Sequence, residues 1–91
     1  MSEGVRDNRE AHRFELDAES HVAFSEYKRT GDVFEVRHTE VPPALNGKGI
    51  GSRLVRGLLD IVRAEGAKVR PRCPFVRAYI DKHPEYADLV A

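Results

Sequence analysis

Tryptophan is absent and cysteine occurs once, at Cys73. A single thiol cannot close an internal disulfide, so a disulfide-stapled secreted scaffold is excluded. No apolar run approaches the roughly 20 residues of a membrane span. The first residues, MSEGVRDNREAHRFELD, lack the apolar core of a signal peptide, and the expected location is the cytoplasm. Neither sign of charge is in surplus: 15 Lys and Arg balance 15 Asp and Glu. No global field therefore draws the chain to DNA or to an acidic membrane. There is no internal repeat, linker or low-complexity stretch. What is present is ordinary for a folded protein, with 41% hydrophobic and 33% charged residues in a chain of 91. That length makes one domain with one modest core. Residues 1–11 are polar and are expected to be a flexible N-terminus, leaving 12–91 as the domain.

The charges balance overall but not along the chain. Residues 1–45 carry six Lys/Arg and ten Asp/Glu, a net of −4. Residues 46–77 carry eight Lys/Arg against Asp60 and Glu65, a net of +6. Residues 78–91 return a net of −2. A positive middle suits a compact anionic ligand, although a solvated helix face gives the same pattern.

Alternation marks three strands: residues 12–17 with Phe14 and Leu16 on one face, 21–29, and 33–41. The third places Phe34, Val36, His38 and Glu40 on one face. Thr30-Gly31-Asp32 supplies hairpin chemistry, and Pro42-Pro43 ends the third strand because neither ring nitrogen can donate to a ladder. The period then changes. Ile50, Leu54, Leu58, Ile61 and Val62 share a face at helical spacing, and Gly66 is a natural helix stop. Residues 67–70 read as a fourth strand. Cys73-Pro74 opens a second helix, where proline suits the first position. His83-Pro84 breaks that helix, and a short helical turn follows. The order β-β-β-α-β-α makes the fold class α+β: an antiparallel meander, a right-handed crossover through a helix, and a final helix.

The strongest motif is the loop Asn46-Gly47-Lys48-Gly49-Ile50-Gly51, which leads into the long helix. Glycines let the backbone turn sharply and let a ligand approach without Cβ obstruction. Unpaired N–H groups at the helix start attract phosphate. A Walker A loop needs G-x-x-x-x-G-K-[ST], a spacing that does not occur here. A dinucleotide fingerprint would need glycine where Ser52 stands, and a parallel scaffold where three antiparallel strands come first. The remaining pattern is [QR]-x-x-G-x-[GA], with Asn46 standing where Gln or Arg is usual.

With this loop, the segment His38-Thr39-Glu40-Val41 and the tail VRPRCPFVRAYIDKHPEY, the chain resembles the small stand-alone N-acetyltransferase domains of the GNAT superfamily of acyl-CoA N-acyltransferases. The resemblance covers about residues 12–90. It implies acetyl-CoA, and hence coenzyme A, as co-substrate. The pyrophosphate would rest on the N–H groups of Gly47, Lys48, Gly49, Ile50, Gly51 and Ser52, beside Asn46. The pantetheine would pair with the edge of the third strand, about Val36 to Val41, where it splays from the next strand. The resemblance further implies that Cys73 sits by the acetyl site. Two N-terminal helices that shape the acceptor cleft of larger GNAT enzymes have no counterpart in the sequence.

The candidate catalytic residues are Cys73, His38 and Glu40. A thiol at a helix start, near Arg70 and Arg72 in sequence, is expected to have a lowered pKa; Cys73 then lines the acetyl site, carries the acetyl group, or packs as a small hydrophobe. Direct transfer needs a base to take the proton of an ammonium acceptor, and His38 or Glu40 supplies one unless each is simply packed or paired. Tyr79 either protonates the leaving thiolate or fills the core. The histidines show no metal-ligand spacing, and no metal is expected. The expected activity is therefore transfer of an acetyl group from acetyl-CoA to an amine on a small molecule or protein. An acyl-CoA-binding module without efficient chemistry is the second reading. Nucleic acid is not an expected partner, because the arginines of the +6 segment lack interleaved stacking aromatics.

Overall fold

The computed structural model of the chain describes residues 4–91. Its strands are β1 (Arg6–Asn8), β2 (Arg13–Ala18), β3 (His21–Thr30), β4 (Val33–Glu40) and β5 (Lys68–Pro71). The helices are α1 (Ile50–Ala64) and α2 (Pro74–Lys82), and 3-10 turns lie at Pro43–Leu45 and Pro84–Leu89. The five strands form one sheet in sequence order. β1 to β4 are antiparallel neighbours, whereas β4 and β5 run parallel and are joined through α1. The α+β class and the order from β2 onward match the sequence reading.

Sheet and helices enclose one core. Phe14 and Leu16 on β2, Ala23 and Tyr27 on β3, Phe34 and Val36 on β4 and Val69 on β5 are buried. They pack with Leu54, Val55, Leu58, Leu59 and Val62, the fully buried stripe of α1. The i, i+4 spacing of that stripe is why these residues form a helix that can cover a sheet. α1 ends in a Schellman motif. Gly66 takes φ +67, its N–H donates to the Arg63 carbonyl, and the Ala67 N–H donates to the Val62 carbonyl. After α2 the chain returns to β5: Val90 bridges Val69, and the Ala91 N–H donates to the Val69 carbonyl.

Two expectations need correction. Residues 1–11 do not all fray. Arg6–Asn8 pair antiparallel with Arg13–Glu15, and Val5 is buried; residues 1–3 lie outside the described residues. The polar sequence concealed this strand because its fixing contacts are ionic. Arg6 donates to Glu15 at 2.7 Å and to Asp17 at 2.6 Å, and Asn8 donates to Glu15 at 3.1 Å.

The second correction concerns His38 and Glu40. Strict alternation would put them with Phe34 and Val36 in the core. Instead, β4 bulges. Tyr27 faces Val36, Glu26 faces His38, and Arg37 has no partner opposite it on β3. One extra residue inverts the side-chain alternation beyond it. Thr39 therefore turns inward opposite Ser25, while His38 and Glu40 turn to the outer face of the sheet and are exposed. With them on that face are Arg13, Phe24 and Glu26, and among the described residues no helix buries them.

Glu15 is the one carboxylate in that outer layer with almost no solvent access, at 3% exposure. Burial pushes its carboxyl up, but hydrogen bonds and charge from Arg13, Asn8 and Arg6 outweigh this and hold it below its ordinary value. A lowered folded-state pKa contributes stability that is present above the ordinary value, about 4.3, and is lost as pH falls through the folded-state value. Urea melts from pH 7 down to pH 3 are expected to show the stability gap between wild type and Glu15→Gln closing in acid. A gap that stays constant would show that Glu15 is not the acid-sensitive tie.

Candidate acyl-CoA site

The site lies where β4 and β5 part. They pair from Val33–Lys68 to Val36–Pro71 and no further. The Val36 carbonyl is the last tie, accepting the N–H of both Arg72 and Cys73 at 3.0 Å each. Beyond it β5 turns away into α2, and β4 continues through Arg37–Glu40 with no β5 residue paired to it. The splay expected near Val36 to Val41 is therefore present.

At the end of β4, Pro42 and the 3-10 turn lead to the glycine loop. Gly47 and Gly49 take φ +77 and +71, a region disfavoured for residues with a Cβ. Nothing lies within 4 Å of where a Cβ would stand at either one, so the loop backbone is open to an approaching group. Gly49 is the N-cap of α1. No side chain caps the helix, and its first turn contains no acidic residue. The first intrahelical bond is from Arg53 N–H to the Gly49 carbonyl, which leaves the amides of Ile50, Gly51 and Ser52 as the unpaired donors of the first turn. A cavity of about 330 Å³ opens onto this turn, lined by Val41, Leu45, Asn46, Gly47, Gly49, Ile50, Gly51, Ser52 and Phe75.

Seven of the residues expected to bind the cofactor thus share one cavity. Lys48 does not line it. Its ammonium donates to both carboxylate oxygens of Glu19, in the β2–β3 turn, at 2.8 Å. Phe75, in the first turn of α2, is a further wall residue. It is 45% exposed, and its ring lies over Gly51, where a Cβ would come within 2.7 Å of the ring. A side chain at Gly51 would have to displace this ring.

Cys73 is the N-cap of α2 and is 5% exposed. Its Sγ lies 3.4 Å from the Thr39 hydroxyl, which in turn lies 2.8 Å from the buried Ser25 hydroxyl. This contact spans the gap between the parted strands. Burial pushes the Cys73 thiol up, but the Thr39 hydroxyl and the backbone N–H groups of Val76, Phe75 and Thr39 more than offset that and set it below its ordinary value. The expected lowering is thus present: the helix start contributes through the Val76 and Phe75 amides, and the Thr39 hydroxyl is the largest lowering cause. Arg72 is turned to Glu35 at 3.0 Å, and the leading causes of the shift lie at Thr39 and the α2 start rather than at the arginines.

His38 and Glu40 lie on the other face of β4 from Thr39, with His38 Nε2 3.4 Å from Glu40 Oε1. Cys73 is therefore not joined to them, and the candidate catalytic residues fall into two groups on opposite sides of one strand. Tyr79 is buried. Its hydroxyl lies 3.4 Å from Arg56 Nε, and its ring stacks on His83 at 3.9 Å. These contacts turn it towards α1 and the end of α2. Among the described residues, no cluster of His, Cys, Asp or Glu could hold a metal ion, and no helix is long and apolar enough to cross a membrane.

A splayed parallel strand pair and an uncapped glycine-rich helix start are the features that the GNAT resemblance implies. The family model for GCN5-related N-acetyltransferases matches residues 13–89, and the chain belongs to that family. Among curated proteins it is similar to Protein NATD1 of Gallus gallus and of Homo sapiens, each 35% identical over 52 residues. That stretch is 57% of this chain and 47% and 46% of those relatives. The Danio rerio protein of the same name is 29% identical over 58 residues, which are 62% of this chain and 53% of that relative. The chain thus spans about half the length of the curated relatives it matches.

The thiol environment yields a direct test. The alkylation rate of Cys73 is expected to be limited by burial, while its pH midpoint falls below the ordinary cysteine value of about 8.5. Thr39→Val is expected to move that midpoint upward. An unchanged midpoint in Thr39→Val would mean that the hydroxyl does not hold the thiolate.

Proposed function

We propose that this domain transfers an acetyl group from acetyl-CoA to an amine by direct attack. The observation that carries this reading is the conjunction of the uncapped α1 start with the free edge of β4. The amides of the loop and first turn, Gly47 to Ser52, would hold the pyrophosphate, where the helix dipole favours negative charge. The backbone of Arg37–Glu40 that is not paired to β5, apart from the Thr39 N–H turned to Cys73, would hold the amide-bearing pantetheine arm as an added strand. Backbone N–H groups at the bulge would polarise the thioester carbonyl. Cys73 and Thr39 would form the wall on the inner side. His38 or Glu40, on the outer side, would take the proton of an acceptor ammonium arriving across the open sheet face, directly or through water. Tyr79 is assigned to packing because its hydroxyl is directed to Arg56.

A second reading is supported by the bare outer face. With no helix among the described residues shaping an acceptor cleft there, the domain would bind acyl-CoA and present it to a partner without efficient transfer. Turnover on an amine panel separates the two readings.

Two tests follow. CoA and acetyl-CoA are expected to raise the Tm by linkage while ATP at equal concentration does so far less. Gly49→Val is expected to weaken CoA binding at least tenfold while circular dichroism shows a retained fold. A folded Gly49→Val protein with wild-type CoA affinity by calorimetry would remove the loop assignment. For the chemistry, Cys73→Ala is expected to slow turnover only mildly. His38→Ala or Glu40→Gln is expected to cost about 10²–10⁴-fold if that residue is the base. An acetyl adduct on Cys73, seen by intact-protein mass spectrometry and discharged by added amine, would replace direct attack with a covalent route.

A further inference from the structure

A second cavity, of about 480 Å³, is walled by Arg9, His12, Tyr27, Lys28, Arg29 and Arg37. It is a cationic space assembled from the acidic part of the chain. Residues 1–45 hold six Lys/Arg and ten Asp/Glu, yet four of those six cations line the cavity and none of the ten carboxylates does. Sequence order could not show this, because the wall comes from the β1–β2 connection, the end of β3 and the bulge of β4. It forms where β2 stops at Arg13 and the β3 edge beyond is tied by the Tyr27 N–H to the His12 carbonyl.

The guanidinium groups are held in place but not used up. Arg29 donates through Nε to the Gly31 carbonyl and through one terminal nitrogen to Glu65 at 2.9 Å. Arg37 uses Nε and one terminal nitrogen on Glu35 at 2.8 Å. Arg9 sits 3.6 Å from both Asp7 and Glu65, beyond hydrogen-bond distance. Each arginine has five N–H donors, so donors remain on all three. Lys28 makes no ion pair among the described residues, and it is the charge that the three neighbouring carboxylates leave unbalanced. A volume in the range of small-molecule sites, with convergent forked donors, suits an oxyanion.

Arg37 connects this cavity to the proposed transfer site. It is the bulge residue, and Thr39, in contact with Cys73, is two residues further along β4. Two residues of strand span roughly 7 Å, about the length of a small metabolite. We propose that this cavity anchors the acceptor, and that the acceptor is a small amine carrying a phosphate or carboxylate group. The anion site stands on its own geometry; its role for the acceptor rests on the transferase reading above.

The test is an NMR amide titration of the intact protein with inorganic phosphate and, separately, with malonate, against chloride at matched ionic strength. Saturable shifts at His12, Lys28 and Arg37 are expected, and the tighter of the two anions names the group. Arg9→Ala and Lys28→Ala are each expected to weaken the titration by about threefold or more, with Lys28→Arg restoring it. Shifts that chloride reproduces, or that survive both alanine variants, would overturn the anion site. In turnover assays Lys28→Ala is expected to raise KM for anion-bearing amines and leave KM for uncharged-tail amines unchanged. Equal effects on both amine classes would overturn the acceptor role. Saturable phosphate binding with no transfer to any amine would leave the anion site standing and refute the transferase reading, and the acceptor role with it.

Discussion

One carbonyl sets the geometry of the candidate site. Val36 accepts two N–H groups, from Arg72 and Cys73, and is the last point at which β4 and β5 are bound. Because both bonds come from consecutive residues, β5 must turn there, and Pro74 at the first helical position fixes that turn as the start of α2. The neighbouring bulge at Arg37 completes the divergence by re-aiming β4 on the far side. Without the shared carbonyl, the parallel pair would extend along β4. Its backbone groups would then be satisfied by β5 and no free edge would remain. Unpaired strand edge is a liability in most sheets. Here the gap is partly bridged by side chains, with the Thr39 hydroxyl reaching Cys73 Sγ and Ser25 backing Thr39.

The helix start shows the same exchange of local stability for an exposed polar backbone. A Ser, Thr, Asp or Asn cap in place of Gly49 would satisfy one first-turn amide and typically stabilise a helix by about 1 kcal/mol. The sequence instead places left-handed glycines at Gly47 and Gly49 and no acid in the first turn. The loss is offset within α1 itself, where Leu54, Val55, Leu58, Leu59 and Val62 are fully buried against the sheet. It is also offset by the ring of Phe75 seated on Gly51, which joins the first turns of the two helices.

Legibility in the sequence followed the range of the interaction that decides each feature. The α1 stripe, the Gly66 stop, the Cys73-Pro74 helix start and the hairpins are short-range, and each lies within a residue or two of its expected place. The glycine loop was legible for the same reason. β1 was not, because Arg6 and Asn8 are held by Glu15 across a turn rather than by an apolar pattern. The orientation of His38 and Glu40 was misread because a period of two has no room for an extra residue, and nothing in VFEVRHTEV marks the bulge. The influence of Thr39 on Cys73 spans 34 positions and arises only once the strands have parted. Sequence proximity instead drew attention to Arg72, whose side chain reaches across to Glu35.

The division of candidate residues across β4 supports the direct transfer proposed above. A thiol that carries the acetyl group must be attacked in turn by the amine, so it must face the acceptor. Cys73 faces inward, at 5% exposure, and is surrounded by the Thr39 hydroxyl and the first-turn amides of α2. Those donors stabilise a thiolate, but its burial keeps it from an incoming amine. His38 and Glu40 have the opposite character: solvated, 3.4 Å apart, and on the face where no helix obstructs an incoming amine. Proton removal from an ammonium requires contact with the acceptor, not with the cysteine. In the proposed direct transfer, an inner wall that would fix the acetyl group and an outer face that would receive the amine need no bond between them. The bulge at Arg37 is what places them on opposite sides of the same strand.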